Sequence, residues 1–373
     1  MGNRYRVRSG RTPTSPRALL VLPLAVALLA GCTSDGGDAS PDGPAQAGAV
    51  RVCGPGDRIG AVLPEGELAP ALRDALAAAG FVPDVRTVAP GPGVIAGDRV
   101  DALLASGARV VVLEPAEPGD LQAQISTAES LEVPVVAVQR PSDVDGVDVW
   151  VAFDAYDAGR MQALALLSGL TELRGSGPHV VELLAGDAAD PLAVLRFNGA
   201  MEVLQPRIDE GALAVPSGRT SLASAAVPQG SPAAAGARID ALLQDPALAG
   251  RPLDGVLAPS DDIAAAVLQS AGASGAAPLT TGLGAGLDAM TRIGAGTQYS
   301  TLLQDPAVLA EATAQSVARL CEGLAPQSTT TYPTASGTRL PMVALDPVPV
   351  TAENAATVFA DDPARLAALQ GAG

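Results

Sequence analysis

The chain has 373 residues, 48% of them hydrophobic but only 2% aromatic, and a formal charge of −17 from 23 basic and 40 acidic side chains. That excess of acid argues against nucleic acid or anionic lipid as a binding partner. All 23 basic residues are Arg, and the absence of Lys excludes a Walker phosphate loop and a Schiff base.

In chain order, Arg4, Arg6, Arg8, Arg11 and Arg17 form a cationic start without acids, followed by an apolar run from Ala18 to Leu29. The run is too short to span a bilayer as a mature helix, so residues 1–31 read as an export signal. Leu29-Ala30-Gly31-Cys32 resembles the lipobox of bacterial lipoproteins, which implies cleavage before Cys32 and a lipid on its sulfur. An ordinary secretory signal or a short anchor helix is the alternative. Residues 32–50 are Gly, Ser, Asp, Pro and Ala without periodicity and read as a flexible tether. The mature charge is −22, since the leader removes five Arg and no acids from −17. Cys53 and Cys321 remain. In an oxidising compartment they form either a disulfide or two separate buried thiols.

From about Arg51 onward, short Val-rich runs alternate with amphipathic ones. Strands are expected at Arg58–Pro64, Arg109–Pro115, Pro134–Arg140, Asp148–Asp154, His179–Gly186, Asp254–Ser260, Pro278–Gly284 and Tyr299–Asp305. Most are nearly continuously apolar, as parallel strands covered on both faces are. Helices are expected at Glu67–Gly80, Asp157–Gly169 and Pro306–Glu322, the last capped by Asp305 with Pro306 in its first turn. Ser217–Gly236, rich in Ala, Ser, Gly and Pro, reads as a long surface loop. Strand–helix alternation in two groups predicts an α/β protein of two doubly wound parallel-sheet lobes, with ligands at the carboxyl ends of strands.

Catalytic patterns are weak. The single His, His179, opens a strand, which is the wrong end for a parallel-sheet active site. No metal site or G-x-S-x-G elbow is indicated, and the pairs Asp261-Asp262 and Asp361-Asp362 read as a cap and a solvated charge. The run Gly282-Leu283-Gly284-Ala285-Gly286 follows a strand as a phosphate loop would, but Leu287 stands where a dinucleotide fingerprint needs its next Gly. The chain is read as neither an enzyme nor a cofactor-binding protein.

Six segments carry a resemblance: "PVVAVQRP", "VAFDAYDAGRMQALAL", "GPHVVELLAGDAADPLAVLRFNGAMEVLQPRIDEGAL", "DGVLAPSDDIAAAVLQSA", "GAGTQYSTLLQDPAVLAEATAQSVA" and "PMVALDPVPVTAENAATVF". In order and spacing, from Ile59 to Phe359, the body resembles the periplasmic sugar-binding proteins of the xylose and multiple-monosaccharide type, the substrate-binding subunits of ABC importers. The resemblance implies the type I periplasmic-binding-protein fold, with two lobes joined by three crossings. Residues 51–153 with 306–342 would form the N-terminal lobe, and residues 154–305 with 343–373 the C-terminal lobe. That fold brings the helix carrying Cys321 back beside Cys53, which favours the disulfide.

The resemblance also implies ligand contacts at Arg140, Asp154, Asp190, Asp261 and Gln304. Sugar sites of this kind use bidentate hydrogen bonds to adjacent hydroxyls and aromatic rings against apolar sugar faces. Several family groups are replaced. Ala155 stands for an Asn, Pro191 and Leu192 for Asn-Asn, and Gln139 for an acid. Phe197 stands for an Arg that is here one position earlier, and Gln304 for a Lys. Gly284 replaces an Asp that accepts from sugar hydroxyls, so the glycine run reads as a sugar site stripped of its carboxylate. The expected protein is a monomeric solute-binding lipoprotein on the outer face of a bacterial membrane. It would serve ABC permease subunits and hold a sugar-like ligand in an altered pocket. The alternative is a degenerate paralogue acting as a cell-envelope sensor or protein-interaction module.

Overall fold

The computed structural model describes residues 52–89, 94–115, 121–141, 145–248, 250–272, 277–334 and 336–371. The export signal, Cys32 and the tether lie outside the described residues. Among the described residues, no helix is long and apolar enough to cross a membrane.

The first lobe alternates β1 (Arg58–Pro64), α1 (Leu68–Ala78), β2 (Val82–Val88), α2 (Val94–Ala105), β3 (Val110–Leu113), α3 (Gln122–Ser130), β4 (Val135–Val138) and β5 (Val149–Phe153). The second follows with α4 (Ala155–Arg174), β6 (His179–Leu183), α5 (Pro191–Asp209), β7 (Leu213–Ala214), α6 (Leu222–Ala225) and α7 (Pro232–Leu243). It continues through β8 (Gly255–Leu257), α8 (Asp261–Gly272), β9 (Leu279–Thr280), α9 (Leu287–Gly294) and β10 (Ser300–Leu303). The chain then re-enters the first lobe with α10 (Pro306–Cys321), β11 (Thr330–Pro333) and β12 (Arg339–Leu345). It ends in the second with β13 (Val348–Thr351), α11 (Ala355–Val358) and α12 (Pro363–Gln370).

Seven strands in the order β11-β12-β5-β4-β3-β1-β2 make the first sheet, parallel except for β11. The second sheet is parallel in the order β7-β6-β8-β9, and β10 pairs antiparallel with β13. Every residue of β3, β4, β5 and β8 is buried, which is why these strands read as unbroken apolar runs. Strand order reverses between β1 and β3 in one sheet and between β6 and β8 in the other. The carboxyl ends at those reversals are where an open parallel sheet leaves a crevice.

Three differences from expectation have local causes. Strand β2, "VPDVRTV", escapes a search for apolar runs because it is an edge strand that is partly exposed and contains a Pro. The third crossing falls after Leu345 rather than after residue 342, because Met342–Leu345 pair with Trp150–Phe153. Ser217–Gly236 is not an open loop: it folds into α6, a 3₁₀ turn at Pro228–Gly230 and the first turn of α7. It is pinned by Glu182, wholly buried on β6, which accepts from Ser217 Oγ at 2.6 Å and from Arg238 Nε and Nη2 at 3.0 and 2.6 Å.

Asp305 caps α10 by accepting from Ala307 N at 2.8 Å, and Pro306 occupies the first turn. The apolar face of α10, through Leu309 and Val317, joins Leu72 and Leu76 of α1 in one core. At its end Cys321 is bonded to Cys53 with Cα atoms 4.4 Å apart, and Val52 and Cys53 both donate backbone N–H to Cys321 O. Closing a loop of 268 residues stabilises by roughly 5 kcal/mol in the chain-entropy picture. His179 is buried at the start of β6, with Nε2 3.1 Å from Gly175 O at the end of α4, a structural setting.

Candidate ligand-binding cleft

A cleft of about 430 Å³ opens where the carboxyl ends of the strands meet. Arg140, two residues beyond β4, lines it from the first lobe. Asp187, Asp190 and Arg196, from the loop after β6 and the head of α5, line it from the second, with Gln229 and Ser260. Ile263 and Leu283 add apolar surface, and no aromatic ring is among the lining residues.

Asp190 caps α5, accepting from Leu192 N at 3.1 Å, with Pro191 next in the helix. Ala193, Phe197, Ala200 and Leu204 form the buried stripe of α5. Arg196 precedes Phe197 by one helical step and so turns to the cleft while Phe197 enters the core. The helix is fixed by backbone contact with α4: a Cβ on Gly159 would stand 1.8 Å from Arg196 O, and one on Gly199 1.9 Å from Tyr156 O. Glycine at both positions lets the two helices touch.

Arg196 has an unusual environment. Its Nε is buried without a hydrogen-bond partner. Burial pushes the guanidinium pKa down, and the Asp190 carboxylate offsets part of that. On the first-lobe side, Glu114 follows β3. Burial raises its pKa to about 7, against the opposing pull of Arg140. Neither Arg196 nor Glu114 is among the contacts the family resemblance implies. The apolar stripe of α5 is a signal that could have found Arg196; no signal short of the fold places Glu114 near Arg140.

The five expected contacts do not gather in one place. Arg140 and Asp190 line the cleft together. Asp154 caps α4 through Asp157 N at 3.0 Å and lines a neighbouring recess with Tyr156, Tyr332 and Met342. Two of the rings there pack together, with Trp150 fully buried and edge-on to Tyr332 at 4.9 Å between centroids. Gln304, after β10, is half-buried and lines neither space.

Asp261 is not among the residues that line the cleft and is 8% exposed. Its carboxylate accepts from Gln298 Nε2 at 2.7 Å, Ala285 N at 2.7 Å and Thr301 Oγ1 at 3.0 Å. Arg292 closes the network, donating to Asp261 O and to Gln298 Oε1. This network accounts for the glycine run. A Cβ on Gly282 would lie 2.0 Å from Asp261 Oδ1 and 2.5 Å from Gln298 Nε2, and Gly284 has φ +132°. The loop is glycine because it wraps a carboxylate of its own lobe. Among the described residues, no cluster of His, Cys, Asp and Glu could hold a metal ion.

Two parallel-sheet lobes with a polar cleft at their strand ends define a ligand-binding protein of the type I periplasmic-binding class. The periplasmic binding protein domain model matches residues 66–325. The multiple sugar-binding periplasmic receptor ChvE of Rhizobium radiobacter is 31% identical over 264 residues, covering 69% of this chain and 74% of that protein. The multiple sugar-binding periplasmic protein SbpA of Azospirillum brasilense is 32% identical over 265 residues, covering 69% and 73%. An ABC transporter solute-binding protein of Clostridium phytofermentans, solved with β-D-glucose, superposes with a TM-score of 0.72 at 24% identity, covering 83% of this chain and 98% of that one. The chain belongs to the periplasmic sugar-binding protein family, whose members bind their ligands rather than transform them.

Proposed function

We propose that the chain is the solute-binding subunit of a carbohydrate ABC importer, acting as a monomer tethered through Cys32 to the outer face of the cell membrane. It closes on one small carbohydrate-like ligand and presents the closed form to the permease. The observation that carries this reading is the cleft itself. Arg140 from one lobe faces Asp190 and Arg196 from the other across about 430 Å³, room for a monosaccharide-sized ligand. The names of the relatives, which bind sugars, support the ligand class.

The pocket is altered from the family's. Asp154 caps a helix, Asp261 is engaged inside the second lobe, and Gly284 offers no carboxylate. Xylose, glucose and galactose are therefore expected to bind weakly, with Kd above micromolar. A thermal-shift screen of the purified protein against sugars, polyols, nucleosides and small acids tests the reading. The ligand at a hundred times its Kd stabilises by about 2.7 kcal/mol, and Arg140→Ala removes the shift. Failure of every carbohydrate-like compound to shift the transition would contradict it. For the anchor, Cys32→Ser either releases the protein from membranes or leaves its leader uncleaved.

A further inference from the structure

The cleft wall formed by the second lobe holds a donor without a hydrogen-bond partner among the described residues, while Asp187 and Asp190 each already accept from backbone N–H. Arg196 brings a guanidinium whose buried Nε has no partner. The Nε atoms of Arg99, without a hydrogen bond, and of Arg160, 3.4 Å from Glu202 Oε1, do not line the cleft. Asp187 accepts from Ala189 N at 2.9 Å and from Gln229 N at 2.6 Å. Asp190 accepts from Leu192 N, and Asp261 is spent behind the glycine loop.

A neutral sugar brings hydroxyls, each needing an acceptor for its proton as well as offering lone pairs. A carboxylate brings acceptors alone, in the planar arrangement that a guanidinium fork matches. We propose that the natural ligand is an acidic sugar, a hexuronate or aldonate, whose carboxylate is received by Arg196. Its hydroxyls extend toward Arg140, Gln229 and Ser260, which line the same space. The amino end of α5 does not compete for the anion, because Asp190 already caps it. With Asp187 and Asp190 flanking the site, a singly charged carboxylate is favoured over a doubly charged phosphate. Arg196, whose Nε has no hydrogen-bond partner among the described residues, gains a carboxylate when ligand binds.

This inference rests on the carbohydrate-binding reading above, and calorimetry on matched pairs separates the two. The purified full-length protein is titrated with glucuronate and glucose, galacturonate and galactose, gluconate and sorbitol, and with cyclohexanecarboxylate as an acid without hydroxyls. At least one acid is expected to bind about a hundredfold or more tighter than its neutral partner. Arg196→Gln, with an unchanged or higher melting temperature as proof of folding, cuts that preference below about tenfold. Equal or tighter binding of the neutral sugars would overturn the acidic ligand and leave the carbohydrate reading standing. Binding of cyclohexanecarboxylate as tight as that of the best uronate would overturn the sugar half of the proposal. Silence from every pair would overturn both readings, and an acid preference that survives Arg196→Gln would remove Arg196 from its role.

Discussion

Asp261 and Arg196 are charged side chains drawn into the same lobe, yet their surroundings are opposite. Asp261 holds three hydrogen-bond donors and is wrapped by a loop in which a Cβ at Gly282 would strike its carboxylate. Arg196 is carried on a helix locked in place by two backbone contacts, but its Nε has no hydrogen-bond partner among the described residues. A buried charge with its partners supplied is part of the fold, whereas one rigidly placed without them is a cost the fold carries for another purpose. The contrast separates residues that resemble ligand contacts from residues available to make them.

The largest expected effect comes from breaking the satisfied side. Asp261→Ala strands Ala285 N, Gln298 Nε2 and Thr301 Oγ1 without their acceptor, and is expected to cost about 3–5 kcal/mol in denaturant unfolding. Asp261→Asn keeps the shape and loses less.

An intermediate effect is expected at Glu114, whose carboxyl is held near pH 7 by burial. A raised carboxyl pKa means that the folded state binds the proton more tightly than the unfolded chain. Stability is therefore greatest below the ordinary carboxyl range and is lost as pH rises through about 7. Glu114→Gln removes this slope. It should match the parent near pH 4.5 and exceed it at pH 8 by on the order of 2–3 kcal/mol, read from unfolding curves across that range.

The smallest effect belongs to a charge pair left in water. Arg365, on α12 in the second lobe, lies 3.8 Å from Glu67 at the head of α1 in the first. Glu67 is largely exposed, so Glu67→Gln is expected to change thermal stability by less than about 1 kcal/mol, fading further in salt.

The sequence was most informative where an element's burial is uniform. Strand β1 is legible to the residue because helices on both faces bury Ile59–Leu63, and α10 because Asp305-Pro306 marks its start. Edge strand β2 and the clamped stretch after Ser217 were not legible, since one is half-solvated and the other is anchored from a distant strand. Of the residues the family pattern named, Arg140 and Asp190 line the cleft. Asp261 does not line it, and its carboxylate is engaged by Ala285, Gln298 and Thr301, which a motif cannot show. Arg196 stood one position from the family's arginine, and only the helix register shows that it reaches the cleft while Phe197 does not.

The contrast between the two charges is tested most directly by the melting temperatures of Arg196→Met and Asp261→Ala, both without ligand. Replacing Arg196, whose buried Nε has no hydrogen-bond partner, by an apolar chain of similar length is expected to raise the transition by a few degrees, while removing the satisfied carboxylate lowers it by more. Shifts of opposite sign are the predicted result. A fall in both variants would show that Arg196 already contributes to the empty fold and is not held in reserve for a ligand.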